Sequence, residues 1–504
     1  MRMVSAVALL CLALASTQLT AQQISWTPEI PGNLVRVSVD VSPRFARLGL
    51  VAGTHDLFVP PGWTARIFYA GQELKKPRFL AWGPDSVLYV ANMSGSTVLA
   101  FPDLDRDGLA DTCIVATKVP GSTSSITFYR DTLFAGSESG ITKYWRSKAT
   151  GYVFDKSTVI VDKTQQPNQL GGNHKTRTVV ADTNNYYLYL SVGSRGNADR
   201  EADRALIERY NWDGSGRKVI ATGVRNAVGL TLHPRTGTVW ANNNGSDQQG
   251  NNIPPEFIDI VRDGGFYGYP FAYHDHNWMD LTHSAYKDIL PVTANDSAAV
   301  ASMVKAAALI TAHSAPMQMQ FAHDGMPENY RNGLFVALRG SWNRTPVSGT
   351  KVVFLTFDGD ADTVANSVQD FCTNFILDST KSDSRWARPV GLALAADGSV
   401  FITSDDVKQF IVKLTPPQTS SVQDTWNNSD LRISPNPAGT LLHIASPIKT
   451  EQIVSIFSYV GTLVLRSVIN SDGDINISGL PAGHYVVISQ SGGQIRRAIL
   501  SVVR

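Results

Sequence analysis

Charge, cysteine and long apolar runs are all scarce in this 504-residue chain, and each scarcity argues against a class of protein. Charged residues make up 17% of the sequence, and 44 Lys and Arg against 43 Asp and Glu leave a formal net charge of +1. Because a nucleic-acid-binding protein needs a basic excess to displace counterions from phosphates, we expect no nucleic-acid partner. Beyond the N-terminal apolar stretch, no segment reaches the roughly 18 consecutive apolar residues of a membrane-spanning helix, so no transmembrane segment is expected.

The chain has three cysteines, and the first of them lies in a segment that we expect to be removed. A basic Met-Arg-Met start is followed by an apolar stretch over residues 4–14 and by small and polar residues through residue 21. This pattern is typical of a secretory signal peptide, predicted over residues 1–21, and is too short to span a bilayer. Export leaves Cys113 and Cys372, which could form a disulfide or remain two separate buried thiols.

Glycine and proline are plentiful by contrast, with 40 and 25 copies, and they punctuate short apolar segments that repeat along the chain. The repeating unit is an apolar strand, a turn rich in Gly, Asp or Asn, and a second apolar strand. Its six copies pair residues 77–82 with 87–92, 126–128 with 132–136, 176–180 with 187–193, 228–233 with 238–242, 317–321 with 333–338, and 390–395 with 400–403. The first four copies begin about 50 residues apart, the spacing of four-stranded blades in a radial array. The pattern therefore predicts an all-β protein with a six-bladed β-propeller over residues 22–416.

Three further segments have a different character. Residues 270–312 are predicted to be an insertion in the fifth blade, helical in part because residues 297–311 are rich in alanine. Residues 417–430 contain mainly Ser, Thr, Asn and Gln and predict an exposed linker. Five more strand patterns, separated by turn signals, follow within residues 431–504 and predict a small C-terminal β-sandwich.

Several stretches of the propeller region resemble a known family. They are residues 173–177, 192–194, 224–226, 263–270, 336–344, and 388–391 with 404–406. Their order and spacing over roughly residues 50–415 are similar to the glucose/sorbosone dehydrogenase family, six-bladed propellers that oxidise sugars with pyrroloquinoline quinone (PQQ) and calcium. The resemblance implies a quinoprotein oxidoreductase that transfers hydride from a sugar hydroxyl or hemiacetal to PQQ. It also implies a sugar or polyol substrate, aldose or sorbosone-like, and an external electron acceptor.

The C-terminal segment resembles a second family. Residues 434–438 read Ser-Pro-Asn-Pro-Ala and precede the strand patterns of residues 431–504. This arrangement looks like the sorting domain of the type IX secretion system. The resemblance implies recognition by the type IX secretion machinery, export through the periplasm, and a secreted or cell-surface protein.

One histidine and several arginines are the candidate site residues. Oxidation of a sugar hydroxyl needs a base for the proton and a cofactor for the hydride, which no side chain accepts well. His174 is the predicted general base, since an imidazole exchanges protons near neutral pH; the alternative is a turn histidine bonded to the backbone. PQQ carries three carboxylates, which planar guanidinium groups bind in bidentate fashion. The resemblance implies that Arg225, Asn226, Arg339 and Arg388 bind the cofactor, and Arg177 is predicted with them because it recurs at an equivalent blade position. A solvated or inter-blade cation is the alternative for each arginine.

Two calcium sites are predicted. The resemblance implies that the main-chain oxygens of Gly245 and Ser246 bind a catalytic calcium, which would polarise the quinone carbonyl. Separately, residues 103–111 place carboxylates at loop positions 1, 3, 5 and 9, a spacing that folds oxygens around one calcium ion. The predicted ligands of this structural calcium are Asp103, Asp105, Asp107 and Asp111. Position 12 is an isoleucine, so a full EF-hand is excluded, and a solvated acidic turn is the alternative.

Four positions depart from the family pattern. Ser194 stands where an acidic residue orients the histidine, and Asn173 replaces the acid before that histidine. Val390 and Ser124 fall where relatives have cofactor contacts. These departures leave open a carbohydrate-binding or adhesive propeller with a degenerated cofactor site. A calcium-dependent lactone hydrolase is a third possibility, disfavoured because the matched motifs contain few acidic residues.

Overall fold

A computed structural model describes residues 26–50, 52–148, 151–359, 362–417, 431–445, 451–458, 463–491 and 494–504. The predicted signal peptide, residues 1–21, and residues 418–430 of the predicted linker lie outside the described residues. The chain divides into two compact units, Met1–Pro417 and Gln418–Arg504.

Short strands follow one another along the first unit in groups of four, and each group forms one blade. The strands before blade 1 are β1 (Glu29–Ile30), β2 (Val35–Asp40), β3 (Asp56–Val59) and β4 (Thr64–Tyr69). Blade 1 contains β5 (Pro77–Trp82), β6 (Leu88–Asn92), β7 (Thr97–Phe101) and β8 (Ile114–Lys118). Blade 2 contains β9 (Thr123–Tyr129), β10 (Thr132–Ser137), β11 (Gly140–Trp145) and β12 (Lys156–Asp162). Blade 3 contains β13 (Val179–Asp182), β14 (Tyr187–Val192), β15 (Leu206–Asn211) and β16 (Lys218–Thr222).

The remaining blades are built in the same way, with one insertion. Blade 4 contains β17 (Leu230–Leu232), β18 (Val239–Asn243) and β19 (Glu256–Ile260). The insertion carries β20 (Gly265–Phe266), β21 (Ala272–Tyr273), β22 (Asn277–Trp278) and helix α1 (Ala294–Ala301), and β23 (Ala308–Ile310) then completes blade 4. Blade 5 contains β24 (Pro316–Phe321), β25 (Gly333–Leu338), β26 (Lys351–Thr356) and β27 (Ser367–Cys372). Blade 6 contains β28 (Ala387–Leu394), β29 (Val400–Val407) and β30 (Phe410–Thr415), together with β4.

The blades form a closed ring around their first strands. Each first strand contacts the first strand of the next blade, and β28 of blade 6 contacts β5 of blade 1. Blade 6 takes its fourth strand from the beginning of the chain, since β4 pairs with β30 in antiparallel register, Ala65 opposite Leu414. Within residues 26–417, the structure therefore confirms the predicted six-bladed β-propeller.

The hydrophobic core lies between neighbouring blades. Every residue of β6 and of β25 is buried, because a middle strand is covered by the adjacent blade on each face. Such strands are continuous apolar runs and lack the alternation of a half-exposed strand. One core cluster, for example, joins Tyr89 and Val98 of blade 1 to Ile126 and Leu133 of blade 2.

Polar side chains join the blades near the ring axis. The hydroxyls of Thr178 and Thr403 each donate a hydrogen bond to a main-chain carbonyl of the following blade. Gln318 of blade 5 donates to the carbonyl of Leu80 at 2.8 Å and accepts from the amides of Leu80 and Leu392 at 2.8 and 2.9 Å. Its single amide group thus ties together blades 5, 1 and 6.

The insertion lies in a different blade from the predicted one, and its helix is shorter than predicted. It separates the third and fourth strands of blade 4, where blade 5 was expected. Its helix spans Ala294–Ala301 and begins with a capping box, in which Thr293 and Asp296 bond each other's main-chain amides. Residues 308–310, predicted to be helical from alanine content, form β23 because β19 offers them an unpaired edge.

The two cysteines outside the predicted signal peptide are free thiols. Cys113 precedes β8 in blade 1, and Cys372 ends β27 in blade 5. The structure therefore settles the open alternative in favour of separate thiols. Burial raises the pKa of Cys113 to about 12.

The second unit contains two facing sheets among its described residues. The strands are β31 (Arg432–Ser434), β32 (Leu441–Ala445), β33 (Glu451–Ser458), β34 (Leu463–Asn470), β35 (Gly473–Asn476), β36 (Gly483–Ser491) and β37 (Gln494–Val502). One sheet has the order β31-β32-β35 and the other β34-β33-β36-β37. Alternate residues of β32 and β33 are buried, so each sheet has one apolar face, and these faces share a single core cluster. This arrangement confirms the predicted β-sandwich.

Candidate active site

A cavity of about 310 Å³ lies among the loops and strand ends of blades 1, 3, 4 and 5. Its lining residues are Arg78, Asn173, His174, Thr176, Arg225, Asn226, Val228, Asn244, Gly245, Asp247, Glu256, His313, Ala315, Met317, Arg339, Trp342 and Asn343. A second cavity of about 290 Å³, lined by the first strands of all the blades, carries no titratable side chain. The chemistry that acid, base and charged groups supply is therefore available in the first cavity, which we call the central site.

His174 belongs to the central site and lies in the connection between β12 and β13. Burial, helped by the positive charge of Arg225, lowers the pKa of His174 to about 3. The imidazole is therefore neutral at physiological pH, the state that a general base requires.

Ser194 fixes the tautomer of this imidazole. His174 Nδ1 lies 2.9 Å from Ser194 Oγ and 3.1 Å from its main-chain oxygen. The Ser194 hydroxyl donates its own hydrogen to the carbonyl of Gly196 at 2.7 Å, so both Ser194 oxygens are acceptors toward the ring. By this hydrogen-bond network, Nδ1 carries the hydrogen and Nε2 keeps the lone pair. Serine thus orients the ring, although it supplies no negative charge.

Two buried arginines hold the main chain of His174. Arg177 Nη1 donates to the carbonyls of His174 and Thr176 at 3.1 and 3.0 Å. Arg204 Nη2 donates to the same His174 carbonyl at 3.1 Å, and its Nε donates to the carbonyl of Gly193 at 2.7 Å. Arg177 is fully buried and is not among the lining residues of the central site. The predicted cofactor contact of Arg177 is corrected accordingly, since its guanidinium serves the loop that carries His174.

Gly193 allows two functional loops to approach each other. A β-carbon at this position would lie 2.7 Å from both Asn226 Oδ1 and His174 Cβ, closer than real contacts allow. The next amide, that of Ser194, donates to the carbonyl of Arg225 at 2.7 Å. The motif at residues 192–194 is therefore required by the close packing of the loops before β13 and β17.

Arg225 lines the central site with Asn226 beside it. The Arg225 Nε and Nη2 atoms donate to the main-chain and side-chain oxygens of Asn197 at 2.9 and 3.0 Å. Nη1 donates to the carbonyl of Gly245 at 2.6 Å, and Nη2 lies 3.2 Å from a carboxylate oxygen of Asp247. Arg225 is thus a rigid cation at the cavity wall.

Arg339 and Arg78 share one buried carboxylate. Arg339 Nε lies 2.9 Å from Asp405 Oδ1, and Arg78 Nε lies 3.3 Å from Asp405 Oδ2. The Asp405 side chain is fully buried, whereas both arginines line the central site. Burial lowers the pKa of Arg78 despite the attraction of Asp405. One carboxylate therefore serves two cations, and the partly exposed Asp406, 3.3 Å from Arg339 Nη2, compensates only in part.

Arg388 contacts the main chain that carries Arg339. Its Nε and Nη2 donate to the carbonyls of Arg339 and Gly340 at 3.1 and 2.7 Å. It is not among the lining residues of the central site, so the structure does not bring it to the cavity as predicted. Arg388 instead orients the chain that presents Arg339.

Arg78 is a cavity residue that the motif analysis missed. It is the second residue of β5, the first strand of blade 1, and Arg388 is the second residue of β28, the first strand of blade 6. This equivalence in the repeat was a signal for Arg78. Arg204, by contrast, comes from the loop before β15, where no motif marks its contact with His174.

Oxygen atoms of several residues are available to a hard cation at the central site. Gly245 lines the cavity, but its carbonyl also accepts the hydrogen bond from Arg225, whereas Ser246 lines a small adjoining cavity. The carboxylates of Asp247 and Glu256 line the central site as well. Burial raises the pKa of Glu256 to about 7. Carbonyl and carboxylate oxygens are the ligands that calcium prefers, so this donor set fits the ion in chemical type.

The central site also fits PQQ in charge and size. Three guanidinium groups, those of Arg78, Arg225 and Arg339, line one cavity, and three carboxylates need such planar donors. Small-molecule sites typically have roughly 300 to 1,000 Å³, so this cavity is at the lower end of the range.

The acidic loop brings together part of the predicted calcium ligand set. Asp103, Asp105 and Asp111 present carboxylate oxygens within 4.8 Å of one another. Asp107 is not part of this group, and its carboxylate accepts a hydrogen bond from the amide of Leu109 at 2.7 Å. The structural calcium stays a prediction, with three carboxylates positioned for it.

The other departures from the family pattern have structural explanations. Val390 is fully buried in the core around blade 6, and the Ser124 hydroxyl donates to the carbonyl of Arg177 at 2.8 Å. Asn173 lines the central site beside His174. Tyr269, in the stretch 263–270, is buried and accepts a hydrogen bond from the amide of Asp199 at 2.8 Å.

Comparison with known proteins covers both units. Residues 57–414 match the family model described as TrAA12-like, and residues 432–501 match the secretion system C-terminal sorting domain. An uncharacterized protein of Borreliella burgdorferi is 26% identical over 364 residues, which is 70% of this chain and 89% of that protein. A PQQ-dependent pyranose dehydrogenase of Coprinopsis cinerea is 27% identical over 309 residues, 47% of this chain. That match spans only 41% of the Coprinopsis enzyme.

A solved structure shares the fold of the first unit. It is the holo form of the pyranose dehydrogenase PQQ domain from Coprinopsis cinerea, with a TM-score of 0.60 and 23% sequence identity. The similarity covers 75% of this chain and 100% of that domain. No helix in the described part of the present chain has the length and apolar character needed to cross a bilayer.

Proposed function

The chain belongs to the TrAA12-like family, and we propose that it is an exported quinoprotein that oxidises a sugar hydroxyl or hemiacetal by hydride transfer to PQQ. The observation that carries the proposal is one cavity in which three guanidinium groups accompany a neutral imidazole with a defined tautomer. The name of the Coprinopsis relative, a PQQ-dependent pyranose dehydrogenase, supports the same chemistry.

The arginines of the central site would hold the cofactor. Arg78 and Arg339, from blades 1 and 5, would bind its carboxylates by hydrogen bonds from their guanidinium groups. Arg225, whose donors are bonded to protein oxygens, would contribute its positive charge. When bound, PQQ supplies the acceptor for the hydride that leaves the sugar carbon. Asp405 would keep Arg78 and Arg339 at a fixed separation before the cofactor enters, which lowers the entropy lost on binding.

His174 would take the proton of the sugar hydroxyl at Nε2. The hydrogen bond from Nδ1 to Ser194 keeps this lone pair available, and Arg177 and Arg204 hold the main chain in place. The pKa of about 3 makes the isolated imidazole a weak base. Neutralisation of Arg225 by bound carboxylates would remove one cause of that low pKa, so the base becomes stronger in the loaded protein.

Calcium would bind at the Gly245 side of the central site. The residues that could hold it are Gly245 and Ser246 through main-chain oxygens, with the carboxylates of Asp247 and Glu256 nearby. An ion there would draw electron density from a neighbouring carbonyl as a Lewis acid. Arg225 and the ion would share the Gly245 carbonyl, which has two lone pairs.

The sorting domain determines where the protein acts. Because residues 432–501 match a secretion system C-terminal sorting domain, the protein is exported and is secreted or held at the cell surface. Type IX machinery is the proposed partner of residues 431–504. Electrons would then pass to an acceptor outside the cell.

A calorimetric titration tests the cofactor assignment. Purified protein in calcium buffer is expected to bind PQQ saturably, and an Arg78→Ala, Arg339→Ala double variant is expected to lose that binding. Absence of saturable binding by the native protein would overturn the proposal.

Dye reduction with a panel of sugars tests the catalytic assignment. Activity is expected in the native protein and in His276→Ala, an exposed histidine outside the central site, but not in His174→Ala. Retention of PQQ binding by His174→Ala would show that the loss is chemical. Cofactor-independent sugar binding without any dye reduction would favour the carbohydrate-binding alternative.

A further inference from the structure

The second cavity, of about 290 Å³, lies at the first strands of all six blades, and we call it the distal cavity. None of its lining residues belongs to the central site or takes part in the proposed cofactor, calcium or base chemistry. We propose that the distal cavity binds a small neutral quinone, which accepts the electrons that the sugar gives up in the central site. This inference rests on the proposed function and names the class of the external electron acceptor.

The distal cavity lies next to the central site along the first strands. In β5, Arg78 lines the central site and the following residue, Phe79, lines the distal cavity. In β24, Met317 and Gln318 are divided between the two cavities in the same way. Consecutive Cα atoms are about 3.8 Å apart, so the wall between the cavities is roughly one residue thick along these strands. Electrons can cross such a wall without contact between donor and acceptor, so a ligand in the distal cavity is within reach of a cofactor in the central site.

The walls of the distal cavity are aromatic and uncharged. Phe79, Trp82 and Phe128 line it, and none of its lining residues carries a charge. The indole of Trp82 is held edge-on against Phe401, with ring centroids 5.2 Å apart and planes at 88°. Aromatic surfaces favour a flat ring that stacks on them or meets their edges. A charged ligand would lose its hydration here without gaining a counter-charge. The walls therefore favour a flat, neutral ring compound.

Two side chains of the distal cavity have hydrogen-bond donors without an acceptor among the described residues. Trp82 Nε1 is buried and has no hydrogen bond. Gln320 uses its side-chain oxygen to accept from the amide of Leu394 at 3.1 Å, so its NH2 group remains as a donor. An indole N–H can only donate, and a buried donor without a partner costs free energy that a ligand oxygen would recover. The cavity therefore favours a ring compound that presents acceptor oxygens.

A quinone combines these properties, since it is flat, uncharged and carries carbonyl oxygens. Its reduction takes up two electrons and two protons and converts both carbonyls to hydroxyl groups. Oxidation of the sugar releases the same number, as one hydride and one proton, so one quinone is reduced for each sugar oxidised. The electrons would cross the wall between the cavities. The protons released at the central site would pass to solvent, and the quinone would take up two from solvent beside the partly exposed Trp82 and Phe128.

Calorimetric titration of the cofactor-free protein with 1,4-naphthoquinone tests the site itself, and the native protein is expected to bind it saturably. Trp82→Phe keeps an aromatic ring but removes the N–H donor. Gln320→Glu keeps the oxygen that accepts from Leu394 and replaces the donor by a second oxygen. Each variant is expected to bind about fivefold or more weakly, the effect of losing one hydrogen bond. Trp145→Phe, which changes a partly exposed tryptophan outside both cavities, is expected to bind as the native protein does. Absence of saturable binding by the native protein, or native affinity in both cavity variants, would overturn the inference.

Prior saturation with PQQ and calcium shows which cavity the quinone occupies. Because the two cavities share no lining residue, the affinity for naphthoquinone is expected to change by less than about threefold. Displacement of naphthoquinone by PQQ would place the quinone in the central site and overturn the assignment.

Steady-state kinetics of the PQQ- and calcium-loaded enzyme test the electron transfer. The donor is a sugar that the dye assay shows to be oxidised, and naphthoquinone is the acceptor. Trp82→Phe and Gln320→Glu are expected to lower kcat/KM for the quinone about fivefold and to leave kcat/KM for the sugar within about twofold of the native value. Equal losses in both constants would indicate a general disturbance of the propeller. That result, or failure of the native enzyme to reduce naphthoquinone, would overturn the acceptor role.

Failure of this inference and failure of the proposed function give different results. If the native protein does not bind PQQ, the proposed function fails and the acceptor role fails with it, whereas the naphthoquinone titration still decides whether the distal cavity is a quinone site. If PQQ binds and dyes are reduced but naphthoquinone neither binds nor is reduced, only the present inference fails.

Discussion

Ser194 is the residue that most alters the chemistry of the central site. A carboxylate at this position would attract a proton to His174, whereas the serine hydroxyl only orients the ring. Burial and the positive charge of Arg225 therefore lower the pKa of the imidazole, and no neighbouring negative charge compensates for them. The site is therefore built to hold a neutral histidine until an anion arrives.

This low pKa gives a prediction for stability against pH. The unfolded chain binds a proton at His174 near pH 6.5, whereas the folded chain stays neutral down to about pH 3. The unfolded state therefore binds more protons between these values, and stability falls as the pH is lowered through that window. From pH 7 to pH 4, we expect the native protein to lose on the order of 3 kcal/mol more unfolding free energy than His174→Asn. Urea unfolding at a series of pH values measures the difference, and His276→Asn is the surface control. Parallel pH profiles for native protein and His174→Asn would contradict the assignment.

Gly193 gives a second prediction at the residue scale. Gly193→Ala places a methyl group 2.7 Å from both the His174 and Asn226 side chains, so one of the two loops must move. We expect a loss of roughly 1–3 kcal/mol in stability, as for other overpacked sites, and reduced dye reduction. Gly359→Ala is the control, because the nearest atom to its new β-carbon is 4.0 Å away. Differential scanning calorimetry measures the first effect, and an unchanged melting temperature for Gly193→Ala would refute the packing argument.

At the residue scale, the motifs located the site but did not assign every side chain. The prediction placed His174, Arg225, Asn226 and Arg339 at the cavity, and they line it. Sequence alone could not separate these from Arg177 and Arg388, because an arginine of the same repeat position can turn toward the cavity or toward main-chain carbonyls. Arg177 turns to carbonyls because those of Gln169, His174 and Thr176 surround its buried guanidinium group.

Elements of neighbouring blades are joined by a buried ion pair. Lys163 follows β12 in blade 2, and Glu208 belongs to β15 in blade 3. Lys163 Nζ lies 2.6 Å from Glu208 Oε2, and neither side chain has any exposed surface. Tyr210 donates to the same carboxylate oxygen at 2.7 Å, and Gln169 donates to the other at 3.1 Å. The fully bonded carboxylate makes this pair a rigid joint between the blades.

Removal of one partner is expected to be costly. Glu208→Ala leaves Lys163 buried without its counter-charge, and we expect a loss of roughly 3–5 kcal/mol in unfolding free energy. Asp263→Ala removes the partner of Lys218 in an exposed pair, and we expect less than about 1 kcal/mol. Urea denaturation of both variants checks the contrast. A similar loss of unfolding free energy in the two variants would contradict the argument that burial makes the Lys163–Glu208 pair the more important one.

At the element scale, the sequence repeat predicted the first two strands of each blade better than the outer strands that pair with them. Each copy of the motif corresponds to the first two strands of a blade. The outermost strands can be more exposed and then give a weaker apolar pattern in the sequence. In β12, for example, five of the seven residues are exposed. The insertion was assigned to the wrong blade for this reason, since β23 has only three residues and resembles a helix by composition.

The whole first unit contains all the groups that the proposed function requires. Every lining residue of the central site lies between Arg78 and Asn343, and the last strand of blade 6 ends at Thr415. The order of blades and the C-terminal sandwich could be predicted from the sequence, because both follow from regular spacing. The geometry of the cavity could not, since it depends on loops from four blades that are distant in sequence.

This modular organisation gives a prediction for truncation. A chain that ends at residue 417 keeps β4, β30 and the central site, so we expect it to fold and to bind PQQ with the affinity of the full chain. A chain over residues 70–417 lacks β4 and leaves the edge of β30 unpaired, so we expect it to lose cooperative unfolding. Calorimetric scans and PQQ titration of both fragments provide the measurement. A stable, PQQ-binding 70–417 fragment would contradict the role assigned to β4.

The pairing of β4 with β30 also constrains biosynthesis. Some 340 residues separate the two strands, so a nascent chain on the ribosome carries β4 for most of translation before its partner exists. Blade 6 can be completed only when synthesis has passed residue 415. The ring of blades therefore stays open at its last blade while blades 1 to 5 are being made.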